Sequence, residues 1–300
     1  MATASESGSS AAIALPRRRW AARATGVRRA LRRNPNMALG AVILIVLSAA
    51  TLFAGQIDRY DPFEITPRER LLAPSTTHFF GTDNIGRDVY SRTIHGGRVS
   101  LWVGFAVTVL SVSAGMLIGL VSGYTRKADM VIQRFMDAIM SFPTLLLALA
   151  LIAMLGSSVT NVIIVITVVD TPRMVRLVRA QVLSLREQQY VEAARAIGAP
   201  TPRILLLHVA PNTFAPVMVQ ATFIFAGAIL VEAGLSFLGL GIPPDQPSWG
   251  NILALGRNFI QIAVWISFFP GLILTITVLA INLVGDGLRD ALDPKLARRQ

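Results

Sequence analysis

The side chains best suited to metal or proton chemistry are His78, His95 and His208 and the acids Asp83 and Asp88. Asp83-Asn-Ile-Gly-Arg-Asp88 invites comparison with a calcium loop, but its glycine comes too early and Ile94 stands where the bidentate acid belongs. A turn with an Asp83–Arg87 ion pair is expected there instead. Nucleophilic chemistry at Gly234-Leu-Ser236 needs a base, and all three histidines fall outside the apolar runs. Phosphate chemistry fails on spacing, because neither Lys127 nor Lys295 completes a G-x-x-x-x-G-K loop. The absence of cysteine excludes disulfides, thiolate metal ligands and a thiol nucleophile. No catalytic residue, metal set or cofactor is expected in this chain.

Three further ionisable residues lie in or beside apolar sequence, where charge is costly: Asp170, Arg173 and Glu232. Asp170 and Arg173 are three residues apart, so they can meet on one helix face as a structural ion pair; lining a pathway is the alternative for Asp170. Glu232 closes an apolar run and is expected to anchor the loop that follows. His208 is expected to be an ordinary helix-surface histidine.

The elements that carry these residues are set by composition. The 300 residues are 53% hydrophobic and only 15% charged, with mean hydropathy +0.57, which is a membrane composition. Apolar runs at 37–55, 100–122, 136–155, 159–177, 214–235 and 264–284 predict six transmembrane helices, the fourth being interrupted by Asp170, Pro172 and Arg173. The formal charge of +11 falls in short blocks between these runs, the pattern of membrane-flanking segments and not of a nucleic-acid surface. Regions 1–36, 123–134, 173–212 and 286–300 hold 21 of the 28 basic residues, which assigns them and both termini to the cytoplasm. The expected organisation is a basic cytoplasmic tail (1–36), a first span (37–55), an extracytoplasmic loop (56–99), a five-helix core (100–285) and a cytoplasmic tail (286–300). Met1 to Pro16 is expected to be a disordered tail. A twin-arginine signal at Arg17-Arg18 is the rival reading of the N-terminus, weakened by the spans that follow. The outer loop, with its six acids and six bases, reads as a small ordered cap or as linker.

The segment 187–212 holds a readable local signal. Glu187 to Ile197 favours helix, Gly198 suits the left-handed residue just past its end, and Thr201-Pro202 suits the cap and first turn of a second short helix stopping before Pro211. Alanines at 193, 194 and 196 keep the first helix slim enough for another protein to approach its backbone. A hairpin tucked against its own bundle is the competing reading.

Glu192-Ala193-Ala194, then Gly198 and the close at His208-Val-Ala-Pro211, resemble the EAA loop of binding-protein-dependent ABC importer permeases. Phe80-Gly-Thr-Asp-Asn-Ile-Gly-Arg-Asp-Val-Tyr-Ser-Arg92, Glu232-Ala-Gly-Leu-Ser-Phe-Leu-Gly-Leu-Gly241 with Pro244 and Trp249-Gly250, and Gly285-Asp-Gly-Leu-Arg-Asp-Ala-Leu-Asp-Pro294 are similar to the C-type subunit of dipeptide, oligopeptide and nickel importers. His208 and Ala210 depart from the residues common in the wider family. The resemblance implies an all-α membrane protein of type I importer architecture, whose cytoplasmic coupling helix docks on an ATPase through Glu192, Ala193, Ala194 and Gly198, with Pro211 at its end. It implies a homologous second permease, two ATP-binding subunits that bind ATP and Mg, and an extracytoplasmic substrate-binding protein. Nickel in place of peptide is the alternative cargo. An ion-gradient-driven secondary transporter is the alternative class, though no internal repeat supports it.

Overall fold

The computed structural model describes residues 34–292, and within them every regular element is helical. The 1–33 and 293–300 parts of the two expected tails, including the arginine-rich stretch and Lys295, lie outside the described residues. The helices of eight residues or more are α1 (Pro35–Leu52), α2 (Val89–Tyr124), α3 (Arg126–Met140), α4 (Thr144–Leu155), α5 (Val159–Leu185), α6 (Gln189–Ala196), α7 (Thr201–Phe237), α8 (Trp249–Arg257) and α9 (Trp265–Leu292).

Against six expected spans, four helices (α1, α2, α7 and α9) are long and apolar enough to cross a membrane unaided. The third run is broken: α3 and α4 meet at 90° across Ser141-Phe142-Pro143, and the 12 residues of α4 cover only about 18 Å. Pro143 supplies the reason, since its ring and missing N–H stop α3 from continuing, while residue counting passed over it. The fourth run sits in α5, whose 27 residues are long enough, but Asp170, Arg173, Arg176 and Arg179 make its second half too charged to read as an apolar span.

Several helices outrun their apolar runs, α2 and α9 among them. α2 begins at Val89 and not at Ser100, because Asp88 caps it by accepting from Ser91 N at 2.8 Å and its polar first turns find partners. Arg92 donates to Pro62 O at 3.1 Å, His95 Nε2 lies 2.9 Å from Asp58, and Arg98 Nε donates to Thr51 O at 2.7 Å. α9 likewise continues past 285 to Leu292.

The segment before α2 is an ordered cap and not linker. Leu71 N and Asp83 O, and Thr82 N and Leu72 O, are joined by backbone hydrogen bonds of 2.9 and 3.0 Å. Phe80 stacks on Phe269 at 4.1 Å, and Trp265 Nε1 donates to Thr82 O, fastening the cap to α9. His78 is buried, stacked on Tyr60 and 2.9 Å from Asp88, while Asp83 closes its turn through Arg87 at 2.6 Å. Asp88 thus holds both a helix start and a histidine. Asp88→Ala should loosen the cap by about 1–2 kcal/mol. Limited proteolysis within 58–88 should accelerate, whereas Asp88→Asn, which keeps the cap acceptor, should stay near wild type.

The bundle is built on close helix approach. Gly115, Gly119 and Gly123 recur every fourth residue of α2 and face α5; a methyl group at Gly119 would lie 2.6 Å from Val178 Cβ and 2.9 Å from Val175 O. Small residues at this spacing let two backbones approach within a membrane, where van der Waals packing replaces hydrophobic drive. Val107, Val165, Ile166, Val178 and Ile224 complete the core beside this seam. α1 lies along α9, with Gly40 against Ala280 and Leu283.

Candidate coupling site

At the end of the bundle opposite the cap, the chain leaves α5 at Arg186 and turns through extended Gln188 into α6. α6 ends at Ala196 with Ile197 as its C-cap, and Gly198 adopts φ +77°. Gly198 N donates to Arg195 O at 3.0 Å and Ala199 N to Ala194 O at 3.1 Å, the paired bonds of a Schellman end. A β-carbon at Gly198 meets no atom within 4 Å, so glycine is needed there for backbone conformation and not for room.

The second helix differs from expectation at both ends. Pro200 takes the cap position, with Thr201 already helical, and Pro211 does not stop the helix. Leu205–Val209 forms a π turn, with Ala210 N bonded to Leu205 O, and α7 then runs without a break to Phe237. The wider turn moves the preceding carbonyls away from the Pro211 ring, which removes the clash that ends an α-helix.

The hairpin has an inward and an outward side. Val191, Ala194 and Ile204 are buried in the bundle core. Ala194 therefore faces its own chain and is a packing residue, contrary to the open surface expected of both alanines. Glu192, Ala193, Ala196 and Gly198 face outward. Ile197 is 85% exposed, and with Tyr190 and Ala193 it draws an apolar stripe along α6. Leu206 and Leu207 add apolar surface on the π turn. Sequence reading passed over Ile197; its signal was a large aliphatic beside a helix-ending glycine, where no core face continues. Arg195 lies over the Tyr124 ring at 5.9 Å and Asn212 Nδ2 donates to His208 O at 2.6 Å, tying the hairpin to α2 and within α7. Glu192 sits in the first turn of α6, where a negative charge favours the helix, and pairs with no basic side chain among the described residues.

The membrane-depth candidates separate from this site. Asp170 is buried and 3.2 Å from Arg173 Nη1, while Arg173 is 48% exposed and donates to Thr144 Oγ1 at 3.1 Å. Glu232, fully buried, accepts from Ser100 Oγ and Ser236 Oγ, both at 2.9 Å. Ser236 in turn receives Ile242 N, and Ser100 receives Trp249 N. Glu232 thus fixes the loop between α7 and α8 to α2, and Ser236 is spent on a carboxylate with no histidine beside it.

Residues 111–298, a stretch containing the hairpin, Asp170 and Glu232, match the family described as the binding-protein-dependent transport system inner membrane component. The chain belongs to this family. A putative peptide transport system permease protein of Brucella abortus is 47% identical over 89% of this chain and 90% of its own length. A dipeptide transport system permease protein of Alkalihalophilus pseudofirmus is 43% identical over 89% and 88%. A di/tripeptide transport system permease protein of Pseudomonas aeruginosa is 45% identical over 86% and 87%. As a permease of this family the protein is a multi-pass membrane component of an ABC import system, and it works with an ATPase and further subunits.

Proposed function

We propose that the chain is one of two homologous permease subunits of an ATP-driven peptide importer, with the translocation path formed between them. The observation that carries this reading is the α6 hairpin: an uncovered Tyr190–Ala193–Ile197 stripe mounted on a helix that continues into the membrane. Such a stripe suits the groove of a separate ATP-binding subunit, two of which would supply bound ATP and Mg. In this reading both termini and the hairpin are cytoplasmic, in keeping with the distribution of arginine, and the cap faces a substrate-binding protein outside. The relatives named for peptide, dipeptide and di/tripeptide transport favour peptide over nickel as cargo. Closure of the ATPase pair on nucleotide would shift the hairpins and alternate the path between inward and outward access.

The test is co-purification and uptake with the assembled complex. Ile197→Asp should place a charge in the apolar contact and cut ATPase recovery by at least about tenfold. Glu192→Lys should weaken it less. Both variants should insert normally, and full ATPase recovery with Ile197→Asp would remove the hairpin from the docking surface.

A further inference from the structure

We propose that Arg173 lines the pathway and binds the terminal carboxylate of the peptide cargo, an inference that rests on the peptide-import reading above. Arg173 lies near the middle of α5, and its side chain is 48% exposed where Asp170, one turn before it, is only 2% exposed. Arg173 falls within the apolar run 159–177, near its cytoplasmic end, and a guanidinium there turns toward water or protein and not toward lipid, because the hydrocarbon offers its charge no partner. Its own chain uses little of it. Nη1 approaches Asp170 Oδ1 at 3.2 Å, and that oxygen has no directed hydrogen bond, while Nη2 donates to Thr144 Oγ1. The remaining donors of the fork are uncommitted.

Thr144 is the first residue of α4, immediately after the 90° break with α3, so the arginine stands beside a discontinuity in the wall and not behind a continuous helix. Buried Asp170 acts as a positioning residue, fixing the guanidinium and offsetting its charge in the empty state. A planar five-donor fork held by one ionic contact can still take a second carboxylate in bidentate fashion, and every free peptide carries one at its C-terminus. Lysine, a point charge, lacks that geometry.

The chain contains no cysteine, so Asp170→Asn with Arg173→Cys gives a single thiol at the site with no buried acid left unpaired. In the complex reconstituted with its ATPases and binding protein, this double variant should assemble as wild type yet lose uptake by about tenfold or more. At saturating peptide an aminoethyl thiosulfonate, which attaches a lysine-like ammonium group, should restore most of the uptake; a sulfonatoethyl reagent should react but restore none. Wild-type uptake before labelling would reduce Arg173 to a structural counter-ion. Failure to react with either reagent would place it against lipid or a partner helix, and equal rescue by both would deny any role for charge. Arg173→Lys with Asp170 retained gives a second readout, a half-saturation concentration raised severalfold at unchanged maximal rate, and an unchanged half-saturation overturns the proposal. A wild-type complex that carries no peptide would sink the peptide-import reading itself, whereas normal wild-type uptake matched by the variants sinks only the role of Arg173.

Discussion

Gly198→Val should leave the complex inserted, assembled and hydrolysing ATP while peptide uptake collapses. The position requires φ +77°, and a residue with a β-carbon in that region costs about 1–2 kcal/mol, more when branched. Nothing else opposes the substitution, since the site is open and solvent-facing. The strain is therefore relieved locally, by unwinding the end of α6 and releasing the Gly198–Arg195 and Ala199–Ala194 bonds. Ile197 and Ala193 then lose their fixed direction, with the native turn about tenfold less populated. Gly198→Asn should retain most coupling, because asparagine tolerates the left-handed region. The measurement is the ratio of peptide transported to ATP hydrolysed in proteoliposomes; a ratio unchanged in Gly198→Val would show that the turn does not direct the contact.

Gly119→Val should have the opposite profile, a loss of the protein itself. Its first added carbon would meet Val178 Cβ at 2.6 Å and the backbone oxygen of Val175 at 2.9 Å, and a backbone atom cannot swing aside. α2 and α5 must separate along a seam that also includes Gly115 and Gly123. Overpacking costs about 1–3 kcal/mol even in cores that can relax, and two helices wedged apart also lose the contacts on either side. Membrane abundance should fall by at least about tenfold, and the detergent-solubilised remainder should aggregate at lower temperature. Gly227→Val, on α7 where no atom lies within 4 Å, serves as the tolerated control.

What could be read from the sequence was local or cumulative. The left-handed turn at Gly198 follows from one residue and its immediate neighbours, and the Asp170–Arg173 contact follows from a spacing of three on a helix. Membrane character follows from summed apolarity. Relations between elements were less legible. Ala193 and Ala194 are identical in sequence terms, and only the packing of Val191 and Ile204 decides that one faces out and the other in. Pro143 and Pro211 show the same limit from two sides. The first breaks a run that hydropathy joined, and the second is absorbed by a π turn where local rules place a stop. The charged start of α2 looked like loop because the partners of Arg92, His95 and Arg98 lie 30 or more positions away in the chain. The glycine seam on α2 was passed over in the sequence, because its meaning comes from the valines of α5.

The uninterrupted run of α7 from Thr201 to Phe237 has a mechanical consequence. Its 37 residues make a strut of about 55 Å, with the α6 hairpin, the proposed docking element, at one end and the Glu232 anchorage near the other. In the proposed reading, force applied at the hairpin arrives at the far rim as tilt and not as slack, and the wide turn at Leu205–Val209 and the interior Pro216 are places where the strut can give. Stiffening or softening that turn would change the gearing between motor and gate while leaving both of them intact.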